Sequence, residues 1–479
     1  MSDCCDSKAK ESGAKPHLVI VGGGSAAFSA ALKANELGAR VTLINDGLPI
    51  GGTCVNVGCV PSKTLIRAAE AQHRAAHPNF LGIESSSRVT DFQAIIAQKS
   101  ELVQDLRRAK YIDVVSNLPD VRVVRGRARL VAARTVQVND EQINADRILI
   151  ATGARPFVPS IRGLEKSGYL TNESAFELEE LPESLIVLGG RYVALETAQL
   201  FSRLGSRVTV LQRSARILPT EAEDITGGLT SYLEEEGVSV ITSVTLQGVD
   251  RADGRVAVTA DVNGAPRTFQ ASQLLVATGR RPNTDGMGLE QLGIRCDAAG
   301  HLIVDETLRT SVEGIYGAGD VIGEPQFVYT AAYEGALAAE NALSGTQSVR
   351  DYTALPWVIF TDPQVAGVGL DELQAARQDL QVQVAKLPLS HVPRSLAARD
   401  TRGFIKLFRD PSTDRLVGAR ILAPEGSELL MEISLAIKFG LSTKQLTSSF
   451  HPYLTLSEGV KLAALTFDKD VAKLSCCAA

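Results

Sequence analysis

The chain has 479 residues, enough for about three domains, and its 44% hydrophobic and 22% charged residues are the balance of a globular protein with sizeable cores. Lys and Arg total 49 against 55 Asp and Glu, and the resulting formal charge of -6 argues against an electrostatic nucleic-acid footprint. No run reaches the ~18 uninterrupted apolar residues of a spanning helix, and the start, Met1 to Lys15, is a polar lead without a signal-peptide core. A cytoplasmic enzyme that does not insert into a membrane is expected.

The cysteines are unusually placed. Cys4-Cys5 and Cys476-Cys477 are adjacent pairs near the two ends, Cys54 and Cys59 share a Gly-rich segment, and Cys296 stands alone. In a reducing compartment such grouping reads as redox or metal chemistry rather than cross-linking. Cys4-Cys5 also reads as coincidence at an exposed end, and Cys296 as a structural or surface thiol.

From Val19 the chain runs V-I-V-G-G-G-S-A-A into a helical stretch and then Leu37-Gly38-Ala39-Arg40-Val41-Thr42. Shifted by 167 residues, the pattern returns: Gly22 matches Gly189, Ala27 matches Ala194 and Gly38 matches Gly205. Each copy is a β-branched run, a glycine turn, an amphipathic helix and a second apolar strand, a βαβ unit of about 30 residues. Each also has a closing segment. Ile150-Ala151-Thr152-Gly153-Ala154-Arg155-Pro156 recurs as Val276-Ala277-Thr278-Gly279-Arg280-Arg281-Pro282. Two dinucleotide-binding regions are therefore predicted within an α/β fold of two Rossmann-like domains.

Glycine in such a turn lets a pyrophosphate approach the amides at the helix start. The first copy keeps the full G-x-G-x-x-A as Gly22, Gly24 and Ala27. Asp46, at the end of its second strand, is assigned to a ribose hydroxyl, with Asn45 as the competing choice. The second copy puts Arg191 where the second glycine of the motif should stand. Its second strand ends at Leu211-Gln212-Arg213, with Arg216 shortly after and no acid for a free 2'-hydroxyl. Two cations there could hold a 2'-phosphate, so NADP(H) is expected over NAD(H). A solvated basic loop is the plainer alternative.

The run Gly51-Gly52-Thr53-Cys54-Val55-Asn56-Val57-Gly58-Cys59-Val60-Pro61-Ser62-Lys63 resembles the redox-active segment of the flavoprotein disulfide reductases, a class that includes glutathione reductase, dihydrolipoamide dehydrogenase and mercuric reductase. The resemblance covers nearly the whole chain and implies FAD and NADPH as cofactors. It implies that Cys54 is the outer, exchanging thiol and Cys59 the inner one facing the flavin. Pro61 and the periodic residues after it predict a helix starting near Cys59, where a thiol pKa falls. Lys63 would lie near the flavin, with Glu196 as its partner. Asp320, closing Thr310–Asp320, would bind the ribityl chain, and Val328 would offer backbone contact at the next helix. Arg127-Ala128 matches the adenine-side loop. Gly47, Gly52, Thr53, Thr152, Gly153, Gly189 and Gly279 complete the implied cofactor contacts.

The resemblance also divides the chain. It implies a lead over 1–15, an FAD-binding domain over 16–160 and 284–348, an NADPH-binding domain over 161–283, and an α+β interface domain over 349–470. A tail over 471–479 follows. The interface domain implies a homodimer with shared active sites.

Within the class, disulfide reductases take a proton donor from a His-Pro segment, with a glutamate five residues after the histidine. Here His451-Pro452 is present, but Leu456 stands five residues on and the nearest acid is Glu458. The dyad reads as incomplete, and His451 as a relic or a structural histidine. The chain ends Leu474-Ser475-Cys476-Cys477-Ala478-Ala479. Adjacent soft thiolates select soft cations, and this pair, with Tyr453 and the Cys54/Cys59 segment, resembles the mercuric reductases. The resemblance implies Hg(II), carried in as a thiol complex, moving from Cys476 and Cys477 of the partner subunit to Cys54 and Cys59. Tyr453 and Tyr192 would shape the inner site. Tyr192 could instead cover the flavin until nicotinamide arrives, and either tyrosine could be packing alone.

Overall fold

The computed structural model describes residues 15–470. They divide into two compact units: residues up to Cys59 with Leu102–Arg155 and Arg280–Arg350, and Val60–Glu101 with Pro156–Gly279 and the residues from Asp351 onward. Among the described residues no helix is long and apolar enough to cross a membrane.

The first unit is built on a five-stranded parallel sheet in the order Ile315–Gly317, Arg147–Ile150, His17–Val21, Arg40–Asn45, Val121–Arg125. Its central strand is buried throughout, as a sheet covered on both faces requires. Leu18 and Ile20 pack with Ala27, Ala30 and Ala31 of the helix Ser25–Glu36, and with Ala338 of the helix Val328–Ser344. Val19 and Val21 point the other way, toward Leu130, Val136 and Val138 of a three-stranded antiparallel sheet. The alanine-rich faces let the two helices come close: a Cβ on Gly335 would stand 2.1 Å from the Ala26 carbonyl oxygen.

The second unit contains the repeated βαβ element. Its parallel sheet runs Ser239–Ile241, Arg207–Leu211, Ser184–Leu188, Gln273–Val276. Leu195, Ala198 and Phe201 of the helix Tyr192–Leu204 are buried with Val187 and Val208. From Asp351 the architecture changes to an antiparallel five-stranded sheet, Pro356–Ile359, Gln364–Gly369, Leu416–Ala423, Phe404–Arg409, Gln383–Pro388. The helices Leu430–Lys438 and Leu456–Leu465 bury Ile433, Ala436, Val460 and Ala463 with Ile405, Leu407 and Ile421 of this sheet.

A charged cluster ties this sheet region to the nucleotide-type element inside the second unit. Arg203, its side chain only 4% exposed, meets Glu236 at 2.6 Å and Asp362 at 3.0 Å. Arg402 meets Asp362 at 2.9 Å and Asp400 at 2.7 Å. Burial works to raise the Asp362 pKa, but Arg402 and Arg203 together hold it below the ordinary carboxylate value. Because the native pKa is the lower one, its stabilisation is present above about pH 4 and is lost as pH falls through the native value. Asp362→Asn leaves Arg203 short of a charge partner, with an expected cost of about 3 kcal/mol at pH 7. Urea unfolding should show that difference shrinking below about pH 4; a difference independent of pH would contradict the assignment.

Candidate active site

In the first unit the glycine turn is held by contacts that leave no room for side chains. Gly22 has φ +136°, and a Cβ there would lie 2.1 Å from the Ala151 carbonyl oxygen. Gly52 has φ +62°, and its Cβ would stand 2.6 Å from the Cα of Gly24. Two backbone segments therefore touch at the start of the helix Ser25–Glu36, whose Gly24 cap offers no side chain to its amides. This is the geometry an anionic pyrophosphate requires. Asn45 turns its carboxamide toward Gly23 and donates to the Leu48 carbonyl at 2.9 Å, while Asp46 and Gly47 are exposed just beyond the strand.

The thiols sit directly beyond this contact. Cys54 lies in the five-residue helix Gly52–Asn56 with Thr53, and Cys59 opens the helix Cys59–Ala76; both are half-buried. Asn56 fixes their approach. Its amide donates to the carbonyls of Pro49, Ile50 and Gly52 at 2.9, 3.3 and 2.8 Å, and its oxygen accepts from Arg107 at 3.0 Å. Tyr111, in a π-helical turn over Arg108–Ile112, meets the Phe28 ring edge-on at 4.8 Å. Burial raises its pKa, a hydrogen bond with Ser25 opposes the rise, and negative charge at Cys54 and Cys59 adds to it. Neither Tyr111 nor Arg107 is in any motif; the π-turn that re-aims a side chain beside the thiols emerges only in three dimensions.

Asp320 follows the Gly319 turn with its side chain half-buried, and desolvation raises its pKa against the opposing charge of Arg280, 3.5 Å away. Arg280 donates through Nη2 to the Ala154 carbonyl, but its buried Nε has no hydrogen-bond partner. Thr152 and Gly153 are laced to Asn283: Thr152 Oγ1 donates to its carbonyl at 2.8 Å, and the Asn283 amide donates to the Gly153 carbonyl at 2.9 Å. Ala128 is buried at the start of Ala128–Ala132, and Val328 opens the helix Val328–Ser344. The glycine cradle, the Arg280 Nε that lacks a hydrogen bond and the half-buried Asp320 carboxyl fit a flavin dinucleotide, with polar partners available to its ribityl hydroxyls.

The second unit repeats the turn. Gly189 has φ +125° and would place a Cβ 2.3 Å from the Ala277 carbonyl oxygen, as Gly22 would against Ala151. Gly190 packs on the buried Gln212 side chain as Gly23 packs on Asn45. Arg191 caps the helix Tyr192–Leu204, Arg213 is exposed, Arg216 is half-buried, and the Gly279 carbonyl accepts from Phe157 N at 2.9 Å. A nicotinamide dinucleotide fits this turn, and the two arginines supply cations beyond the second strand.

Lys63 and Glu196, 133 residues apart, meet at 2.5 Å; Glu196 is nearly buried and also accepts from Phe360 N at 2.9 Å. Tyr192 stacks on Trp357 at 6.0 Å between ring centroids. Tyr453 is 53% exposed in the turn before the helix Leu456–Leu465. One local reading changes. His451 does have a carboxylate partner, but a distant one: its Nε2 lies 2.5 Å from Glu432. The acid Glu458 stands five residues after Tyr453 and accepts from the Leu454 amide at 3.1 Å. Cys476, Cys477, Cys4 and Cys5 lie outside the described residues.

Residues 16–335 match the model of the pyridine nucleotide-disulphide oxidoreductases, and residues 355–464 match that family's dimerisation domain. The chain belongs to this family, is an oxidoreductase with FAD and NAD(P)H as cofactors, and forms a homodimer through the C-terminal domain. Among its relatives is the mercuric reductase of Staphylococcus aureus, 45% identical over 461 residues, 96% of this chain and 84% of that one. The mercuric reductase of Streptomyces lividans is 45% identical over 467 residues, 96% and 98% of the two chains. Among solved structures, the HOCl-induced flavoprotein disulfide reductase RclA of Escherichia coli, as its Cu(II) complex, superposes with a TM-score of 0.85 at 30% identity, covering 95% of this chain and all of that one. LpdA of Mycobacterium tuberculosis gives 0.84 at 29% identity over 95% of this chain.

Proposed function

We propose that the protein is a mercuric reductase that reduces thiol-bound Hg(II) to volatile Hg(0) with NADPH. The observation that carries this reading is the second thiol pair, Cys476-Cys477, in a chain 45% identical to proteins named mercuric reductase over 96% of its length. When bound, FAD supplies a relay for an electron pair between the nicotinamide nucleotide and the Cys54/Cys59 couple. The chain's own residues do the rest. Gly22, Gly24, Ala27, Asp46, Gly47, Gly52, Thr53, Ala128, Thr152, Gly153, Asp320 and Val328 hold the flavin dinucleotide, and Gly189, Gly279, Arg213 and Arg216 hold NADPH. Cys476 and Cys477 of the partner subunit capture Hg(II) by displacing two carrier thiols, and Cys54 and Cys59 then take it over by the same exchange. Trading one thiolate for another keeps the ion from water. Lys63 stands four residues along the helix from Cys59 and is fixed by Glu196. Overall, NADPH, one proton and a mercury dithiolate give NADP+, Hg(0) and two thiols.

The test is NADPH oxidation with Hg(II) in excess thiol, with volatile mercury collected, in wild type and in Cys476→Ala/Cys477→Ala. Mercury-dependent turnover in the wild type, reduced about tenfold or more in the double variant at low mercury, is the expected result. No metal-dependent turnover in the wild type rejects the reading. A second reading, an NADPH-dependent disulfide reductase, draws on the carboxylate partner of His451. It predicts rapid NADPH consumption by oxidised glutathione or lipoamide without metal.

A further inference from the structure

We infer that His451 is a positioning residue: with Glu432 it pins the turn that presents Tyr453, and it is not a proton donor. This rests on the reading of Tyr453 as part of the mercury site. The His451 imidazole is nearly buried, its side chain 5% exposed. Nε2 faces Glu432 Oε1 at 2.5 Å and Nδ1 faces the Ser449 carbonyl at 3.2 Å. Both ring nitrogens thus face protein acceptor oxygens, and neither is left to serve a substrate. The ring thereby joins Glu432, on the helix Leu430–Lys438, to the start of the turn. Lys461 adds a second tie by donating to the same Ser449 carbonyl at 3.2 Å.

The far side of the turn is held as firmly. Leu454 has φ +61°, a left-handed conformation that a leucine adopts only under restraint. Its amide donates to Glu458 Oε2 at 3.1 Å, Glu458 N donates to Thr455 Oγ1 at 3.2 Å, and Thr455 Oγ1 donates to the Pro452 carbonyl at 2.8 Å. Between these two anchors Phe450 is fully exposed and Tyr453 is 53% exposed. Large aromatic rings turned outward from a backbone restrained on both sides, one residue of it strained, are the mark of a segment built to present a side chain.

The experiment uses the holoenzyme dimer carrying His451→Phe, Glu432→Ala or Glu432→Gln. Hydrogen exchange over 449–458 is read first, because it is independent of any substrate. His451→Phe and Glu432→Ala are expected to accelerate it about threefold or more, while Glu432→Gln, which keeps an acceptor for the ring, stays near wild type. With saturating NADPH, mercury kcat should fall about tenfold in the first two variants and recover in Glu432→Gln. The NADPH KM and NADPH-driven ferricyanide reduction should be unchanged, which a general loss of folding would not allow. Unchanged exchange, or equal loss of ferricyanide and mercury turnover, overturns the inference. So does a wild type that reduces organic disulfides rapidly and loses that activity in His451→Phe. Accelerated exchange in a protein whose wild type reduces no mercury would leave the pin standing and reject the functional reading alone.

Discussion

Cys59→Ser is expected to lower NADPH-driven mercury reduction by about 10³-fold or more, equivalent to about 4 kcal/mol of barrier, while the flavin stays bound. Sulfur carries the chemistry here in two ways. A thiolate is accessible at neutral pH where a serine alkoxide is not, and only a sulfur pair can cycle between dithiol and disulfide. Cys59 opens an 18-residue helix, whose amide ends favour the anion, and Lys63 lies one turn further along. The flavin contacts proposed for Gly22, Gly24 and Asp320 do not involve this sulfur, so bound flavin absorbance should be retained. Cys54→Ser should give a loss of similar size. Cys296→Ser supplies the control: that thiol is exposed, and burial of its sulfur with the nearby Asp297 raises its pKa, so its removal should change turnover by less than about twofold. Activity surviving in Cys59→Ser would remove the central sulfur couple from the mechanism.

What the sequence made legible was whatever depends on backbone geometry over short spans. Gly22 and Gly189 were readable because a positive φ beside a neighbouring carbonyl admits only glycine, and the demand recurs at both turns. The helix after Cys59 was readable from Pro61 and the apolar period. Lys63 and Glu196 were paired only through the family resemblance, since nothing local links residues 133 apart. Contacts without a motif stayed hidden. Tyr111 reaches the thiols from a π-turn some fifty residues on, and Asn56 reads as an ordinary polar residue until its three carbonyl partners are seen. The C-terminal turn shows how a short pattern misleads. The five-residue spacing from His-Pro finds Leu456 and leaves the dyad incomplete, whereas the histidine's carboxylate partner, Glu432, comes from an earlier helix.

Arg213→Ala/Arg216→Ala is expected to reduce kcat/KM for NADPH about 10²-fold while changing kcat/KM for NADH about twofold or less. A 2'-phosphate brings nearly two negative charges to a site whose second strand is followed by the buried Gln212 rather than an acid. A buried carboxamide lends neither the acceptor charge that selects a free ribose hydroxyl nor the repulsion that excludes a phosphate. Discrimination then falls to the two arginines. Each charge-assisted contact is worth about 1.5–3 kcal/mol when well formed, and exposure of Arg213 discounts its share below that range, to about 1 kcal/mol. Together about 2.7 kcal/mol remains, the equivalent of two decades. The origin of that preference also fixes its salt dependence. The NADPH advantage over NADH should narrow as ionic strength rises from about 0.01 M to 0.15 M, where the screening length falls from about 30 to 8 Å. In the double variant the salt effect should largely vanish. Parallel losses for both nucleotides would mean that the arginines support the turn itself, and an unchanged NADPH preference would move its origin to Arg191.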